Sequence, residues 1–159
     1  MKTINLNTDQ RGSISYLYAI PLTSFVRIDH DYHLGLESLV LRQKQDIIQI
    51  PISDGCEWEE SDKIAAGGIV FQPKITGKLN PAATNVPHII YELIRGNWLV
   101  LHIDAIGTAR LSGSVNVPMR FNTQSKSGQN LHDANQVQFS FSGLQPLPSI
   151  VVSIRYPEL

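Results

Sequence analysis

A short segment in the first quarter of the chain carries two histidines and two aspartates within five positions. Asp29, His30, Asp31 and His33 offer imidazole nitrogens and carboxylate oxygens, the ligands that zinc and other divalent cations take. On an extended strand His30 and His33 would point to opposite faces, so only a turn would bring both to one ion. We expect a polar turn here, and a metal-dependent enzyme is the alternative.

An acidic run follows at residues 53–62, SDGCEWEESD. Its five carboxylates belong to Asp54, Glu57, Glu59, Glu60 and Asp62. The run lacks the DxDxDG spacing that arranges oxygen ligands around calcium, and its Asp-Gly start is typical of a turn, so we expect a solvated hairpin or loop. The lone Cys56 has acidic neighbours, which disfavour a thiolate, so we expect a partly buried thiol and not a nucleophile.

The remaining histidines and both tryptophans show no arrangement typical of a catalytic site. His88, His102 and His132 are dispersed, and neither a GxSxG nucleophile elbow nor a glycine-rich phosphate loop accompanies them. Trp58 and Trp98 could stack on a sugar, but two tryptophans in a chain of this length more often anchor a core or an interface. We therefore expect no enzymatic activity, no cofactor and no small-molecule substrate.

Length, composition and charge describe one ordinary globular domain over residues 1–159. The chain has 42% hydrophobic and 17% charged residues, and its 13 basic and 14 acidic residues give a formal net charge of −1. A nearly neutral chain has no global field that would attract nucleic acid or an anionic membrane. The N-terminal residues lack a signal-peptide core, and no apolar run reaches the ~18 residues of a membrane span. We therefore expect synthesis as a soluble cytoplasmic chain.

Alternating apolar and polar residues predict several β-strands. In the first half, the apolar residues on one face are Ile14, Tyr16, Tyr18, Ile20 and Leu22, and then Ile69, Phe71, Ile75 and Leu79. Pro21 predicts an edge position or a strand end, and Pro73 predicts a sheet edge or a bulge, because proline has no N–H for a neighbouring strand. The pattern does not assign one type of secondary structure to the segment between them, since residues 36–40 allow a helical turn whereas residues 48–52 alternate as in a strand.

The stretch 98–148 predicts a β-meander. Apolar residues at 99, 101 and 103 alternate with His102 and Asp104, and Gly107 suits the turn that follows. A second strand, with a buried face at Leu111, Val115 and Val117, ends at Pro118. Residues 122–135 are almost entirely polar, so we expect a long loop there. Alternation returns at 136–142, with Val137, Phe139 and Phe141 inward, and a last strand covers residues 150–156.

One helix is expected at residues 86–95, VPHIIYELIR. Asn85 can cap it, Pro87 suits its first turn and Gly96 can end it, while a strand is the alternative. Several short strands with one helix between them predict a mainly β fold, an antiparallel sandwich or barrel with one short helix.

The stretch from Trp98 to Pro148 resembles small tail-associated structural proteins from phages and prophages of Bacteroides-type bacteria. In that family a hydrophobic strand leads to Asp, a glycine turn, Arg-Leu, a glycine and a Pro-x-Arg-Phe strand, followed by a polar loop and a Phe-Ser-Gly strand. The matching residues are Asp104, Gly107, Arg110, Leu111, Gly113, Pro118, Arg120, Phe121, Gly128, Phe139, Ser142 and Gly143. The match covers about a third of the chain well.

The resemblance implies a structural component of a phage tail or tail-like particle, built on a tail-tube-like β domain. Such a protein would be made in the host bacterial cytoplasm, would then enter the particle, and would associate with copies of itself or with other tail proteins. The loop at 122–135 would be an assembly arm, with Thr123, Ser125, Lys126, Gly128 and Asn130 as its contact residues. A small β-sandwich that binds a glycan or peptide through Trp58, Trp98 or the tyrosines is the alternative.

Overall fold

Two β-sheets and one α-helix make up the fold in a computed structural model that describes residues 13–31, 35–42, 46–53, 55–80, 83, 85–126 and 136–155. The elements are β1 (Ile14–Pro21), β2 (Phe25–Asp31), β3 (Leu36–Leu41), β4 (Ile48–Gln49), β5 (Glu57–Ala65), β6 (Gly68–Lys78), α1 (Val86–Arg95), β7 (Trp98–Asp104), β8 (Ala109–Ser112), β9 (Arg120–Lys126), β10 (Gln136–Ser142) and β11 (Ile150–Arg155). The predicted fold class is confirmed as mainly β with one helix.

The larger sheet has seven strands in the order β2-β3-β11-β8-β7-β1-β4, and the smaller has four in the order β5-β6-β10-β9. All pairs are antiparallel except β3 with β11, so the larger sheet is mixed. In a flat sheet five strand spacings of about 4.8 Å would separate β1 from β2. The connection from Pro21 to Phe25 spans at most about 14 Å. The sheet must therefore bend, although its described strands do not close into a barrel.

Two hydrophobic cores lie on the two faces of the larger sheet. The first fills the space between the sheets, and its fully buried members include Leu17, Ala19, Ile75, Leu93, Val100, Met119 and Phe141. The second lies on the opposite face and includes Ile20, Leu39, Leu41, Leu99, Leu101, Leu111 and Val152. Strands β1 and β7 contribute alternate residues to both cores. The prediction of one buried face for each was therefore incomplete, because both are interior strands covered on both sides.

The predicted helix is confirmed and begins and ends as expected, at Val86 and Arg95. Pro87 lies in the first turn, but the Asn85 side chain makes no capping hydrogen bond, and its backbone adopts a left-handed φ of 62°. Leu93 packs in the first core, and its carbonyl accepts a hydrogen bond of 2.9 Å from Trp98 Nε1. The helix thus closes the space between the sheets. Within the described ranges, no helix is long and apolar enough to cross a membrane.

Two local predictions were wrong. The strand after Gly107 ends at Ser112, so Val115 is exposed in a turn. Residues 122–126 continue β9, where they pair with β10, and the rest of the predicted loop, 127–135, lies outside the described residues. Two segments had open alternatives: residues 36–41 form a strand, and residues 57–62 lie in β5 of a β-hairpin, one of the two expected forms. Pairing with a neighbouring strand determines the conformation of residues 36–41, 57–62 and 122–126.

Candidate functional site

The hairpin of β5 and β6 extends beyond the strand that pairs with it on the other side. The two strands pair from Glu57 with Thr76 to Ala65 with Gly68, but β6 pairs with β10 only over residues 74–78. Ile64 and Ile69 face each other near the turn and are 88% and 56% exposed. We call residues 61–70 the hairpin tip and residues 57–60 with 71–78 the hairpin root.

A partly buried hydrogen-bond network holds the hairpin root on the loop before β11. One Glu60 carboxylate oxygen accepts hydrogen bonds from the Ser149 amide at 2.9 Å, from Ser149 Oγ at 2.7 Å and from Gln145 Nε2 at 3.3 Å. Gln145 also pairs through its backbone with Phe71, and its Oε1 accepts from the Gly113 amide at 2.9 Å. The carboxylate therefore links both sheets, and its position is fixed by charge-assisted bonds.

Pro73 lies at the point where β6 leaves the ladder with β10. The pairing ends at Lys74 with Ser142, and the Pro73 carbonyl accepts from the Gly143 amide at 3.3 Å. Proline cannot donate to a neighbouring strand. The sequence predicted an edge or a bulge at this residue. Instead β6 is an interior strand, and the proline lies where the pairing of β6 with its second partner, β10, ends.

An aromatic and cationic cluster joins the hairpin root to the larger sheet. The Trp58 ring lies 5.5 Å from the His102 ring, and the Arg110 guanidinium carbon lies 4.3 Å from the Trp58 centroid. Trp58 Nε1 and His102 Nδ1 are both buried and have no hydrogen-bond partner in the described part of the chain. The sequence placed His102 on the face of β7 opposite Leu99 and Leu101, which is confirmed. The smaller sheet covers this face and leaves His102 only 4% exposed, which the sequence did not predict.

The surroundings favour the neutral forms of His102 and Cys56. Burial, together with the Arg110 cation and opposed in part by Asp104, lowers the pKa of His102 to about 4. Burial, with the nearby Glu57 carboxylate, raises the pKa of Cys56 to about 12. The thiol is fully buried and is not activated as a nucleophile, as the acidic neighbours predicted.

The outer face of the smaller sheet is polar and forms a groove of about 770 Å³. Cross-strand pairing aligns Glu59, Lys74, Ser142 and Arg120 in one row, from one edge of the sheet to the other. On the same face, the next row contains Glu57, Thr76, Ser140 and Asn122, and the row after it contains Lys78, Gln138 and Gln124. No ion pair of Lys74 or Arg120 is found among the described residues. No aromatic side chain takes part in these rows.

Most residues that carry the family resemblance serve turns and packing. Asp104 Oδ1 accepts from the amides of Ile106 and Thr108, and Gly107 has a φ of 91° in the same turn. Gly113 and Gly143 leave room for the Met119 side chain. A Cβ at Gly113 would approach that side chain to 3.0 Å, and one at Gly143 would approach it to 2.8 Å. Leu111 lies in the second core, Phe121 and Phe139 lie in the first, Arg120 is exposed, and Pro118 is half-buried.

Only part of the predicted assembly arm lies among the described residues. Thr123, Ser125 and Lys126 lie in β9, opposite Phe139, Val137 and Gln136. Gly128 and Asn130 lie outside the described residues. Sequence reasoning missed the hairpin tip as a projecting element. The available signal was the set of every second residue before an Ala-Gly-Gly turn: Trp58, Glu60, Asp62 and Ile64. The many carboxylates in this run made it resemble a solvated loop.

Among the described residues, His30, His88 and Trp98 lie in different elements and do not form a site. His30 lies in β2, and His33 and His132 lie outside the described residues. His88 pairs with Glu92 on the helix surface at 3.0 Å, and Trp98 is buried in the first core. Among the described residues, no group of three or more His, Cys, Asp or Glu side chains could hold a metal ion.

The chain was compared with known proteins at the level of family, sequence and fold. No family model matches it, no curated protein is significantly similar to it, and no solved structure matches it.

Proposed function

We propose that this chain is a non-enzymatic structural protein of a phage tail or tail-like particle, which acts by association with copies of itself or with other tail proteins. The observation that carries the proposal is the hairpin tip. It presents Ile64 and Ile69 side by side on a projecting two-stranded ribbon. Exposed apolar groups that cluster on a projecting element are typical of interaction sites, whereas scattered ones are not.

The free edge of β5 supports the same proposal. Strand β5 pairs only with β6 within the described ranges, and its other edge presents unpaired backbone N–H and C=O groups. Such an edge can add a strand from another chain. The exposed Glu57 and Glu59 on this strand would oppose pairing with unsuitable partners. The opposite edge, β9, is less accessible, because Met119 pairs with Trp98 at its start and α1 lies beside it.

Association can be measured by light scattering over a wide concentration range, with negative-stain imaging of the most concentrated sample. We expect the wild type to form rings or stacks, and Ile64→Ser to lose them. Ile106→Ser is the matched control, because Ile106 is 73% exposed in the turn between β7 and β8. A wild type that stays at 17.7 kDa throughout and finds no tail partner would contradict the proposal.

A glycan- or peptide-binding module is the second candidate, and the groove on the smaller sheet favours it. Both tryptophans face the interior, so binding would depend on the polar groove, which is lined by Lys74 and Lys78 and would suit an anionic glycan. An array of anionic glycans tests this candidate. Binding by the wild type that Lys74→Glu abolishes and Lys63→Glu retains would support it, since Lys63 lies on the hairpin tip. Absence of binding by the wild type would remove it.

A further inference from the structure

The contact between the hairpin root and the larger sheet depends on a buried, uncharged histidine. His102 contacts Trp58, and each ring has a buried nitrogen with no hydrogen-bond partner among the described residues. Unpaired buried polar atoms are rare in native proteins, and each is a local weakness of the structure. Here two of them meet at the same contact between the two sheets.

The groups opposite the imidazole disfavour a second positive charge. Arg110 pairs directly with His102 across β8 and β7, and its guanidinium lies over the Trp58 ring. On β1 the residue opposite His102 is Leu17, which is fully buried and apolar. A proton on the imidazole would therefore place a second cation near the half-buried Arg110, on a side chain that is only 4% exposed.

The nearby carboxylates either accept hydrogen bonds from other groups or lie on another face of their strand. Asp104, two residues along β7, accepts two backbone amides of the following turn through one oxygen. Glu60, on β5, accepts three hydrogen bonds from Ser149 and Gln145. Glu57 and Glu59 alternate with Trp58 and are exposed on the opposite face of β5. None of these groups forms an ion pair with the imidazole in the described part of the chain.

We propose that His102 is an acid-sensitive latch, which holds the hairpin root on the larger sheet while its imidazole is neutral and releases the root when it is protonated. Movement of Trp58 away from His102 would admit water, which solvates the new charge and separates it from Arg110. The rest of both sheets has no comparable buried base among the described residues, so the release is local. This inference is independent of the function proposed above.

Tryptophan fluorescence tests the latch. In a Trp98→Phe background, Trp58 is the only tryptophan, and its emission is followed together with far-ultraviolet circular dichroism from pH 8 to pH 3.5. We expect the emission to change in one protonation step below pH 5 while the circular dichroism is retained. His102→Phe keeps an aromatic ring beside Trp58 and should abolish the step. His88→Phe, at an exposed histidine, should retain it.

Two results would overturn the latch. One is an emission step that persists in His102→Phe, and the other is loss of circular dichroism in the same step as the emission change. If His102→Phe does not fold, nuclear magnetic resonance of the wild type decides the question. The His102 ring resonance must titrate together with a shift of the Trp58 indole N–H. Titration of His102 near pH 6.5 with an unchanged Trp58 resonance would also overturn the proposal.

Discussion

The root and the tip of the β5–β6 hairpin share one alternating pattern but lie in opposite environments. Ile75 and Ile69 are six residues apart on β6 and face the same side of the ribbon, yet Ile75 is fully buried and Ile69 is 56% exposed. The difference arises because β10, the larger sheet and the loop before β11 cover the root and end before the tip. Alternation therefore determines which face is apolar, and the neighbouring elements determine whether that face is buried.

Truncation of the two isoleucines should produce the largest difference. Ile75→Ala removes a buried side chain from the first core, and we expect it to lower the free energy of unfolding by about 2–5 kcal/mol. Ile69→Ala should change the free energy of unfolding by about 0.5 kcal/mol or less, because the Ile69 side chain is 56% exposed in the folded protein. Urea unfolding of both variants measures this. Equal losses would show that the tip is covered in the isolated protein.

The pH dependence of stability should test the contact between His102 and the hairpin root. The pKa of His102 is about 4 in the folded protein against an ordinary value of 6.5, so the unfolded chain binds more protons between these pH values. Stability is then lost as the pH falls through this window, by about 2 kcal/mol between pH 7 and pH 5. Urea unfolding of the wild type and of His102→Phe measures the difference. Parallel pH profiles would contradict the prediction.

Removal of the Glu60 charge should weaken the root by a smaller amount. Glu60→Gln keeps an acceptor oxygen but loses charge-assisted bonds to Ser149 and Gln145, which we expect to cost about 1–2 kcal/mol. Glu59→Gln is the matched control, since Glu59 is exposed on the same strand. Thermal unfolding of the two variants tests the comparison. An equal effect of both would mean that the network does not hold the root.

An effect smaller than that of Glu60→Gln should come from the turn of the tip. Gly68 has a φ of 126°, which side chains rarely adopt, although a Cβ there would meet no atom within 4 Å. Gly68→Ala should therefore loosen the tip by about 1 kcal/mol and leave the core unchanged. Hydrogen exchange should accelerate at the amides of residues 61–70 and not at those of β7. Accelerated exchange in β7 would mean that tip and core unfold together.

The sequence by itself determined the fold class, the helix at 86–95 and the inward faces of β6 and β10, including Ile75, Phe139 and Phe141. These features depend on local periodicity and on glycine and proline chemistry, which neighbouring residues carry. The sequence also identified Cys56 as an unreactive thiol and the glycine turn at Gly107.

Only the tertiary structure decided which of these elements became neighbours. The parallel pairing of β3 with β11, the burial of His102 against Trp58 and the projection of the hairpin tip all join or separate residues that are far apart in the chain. Strand alternation is the same for a covered and an uncovered face, so no local pattern can distinguish them. The candidate interaction site is therefore a property of what the rest of the chain leaves uncovered.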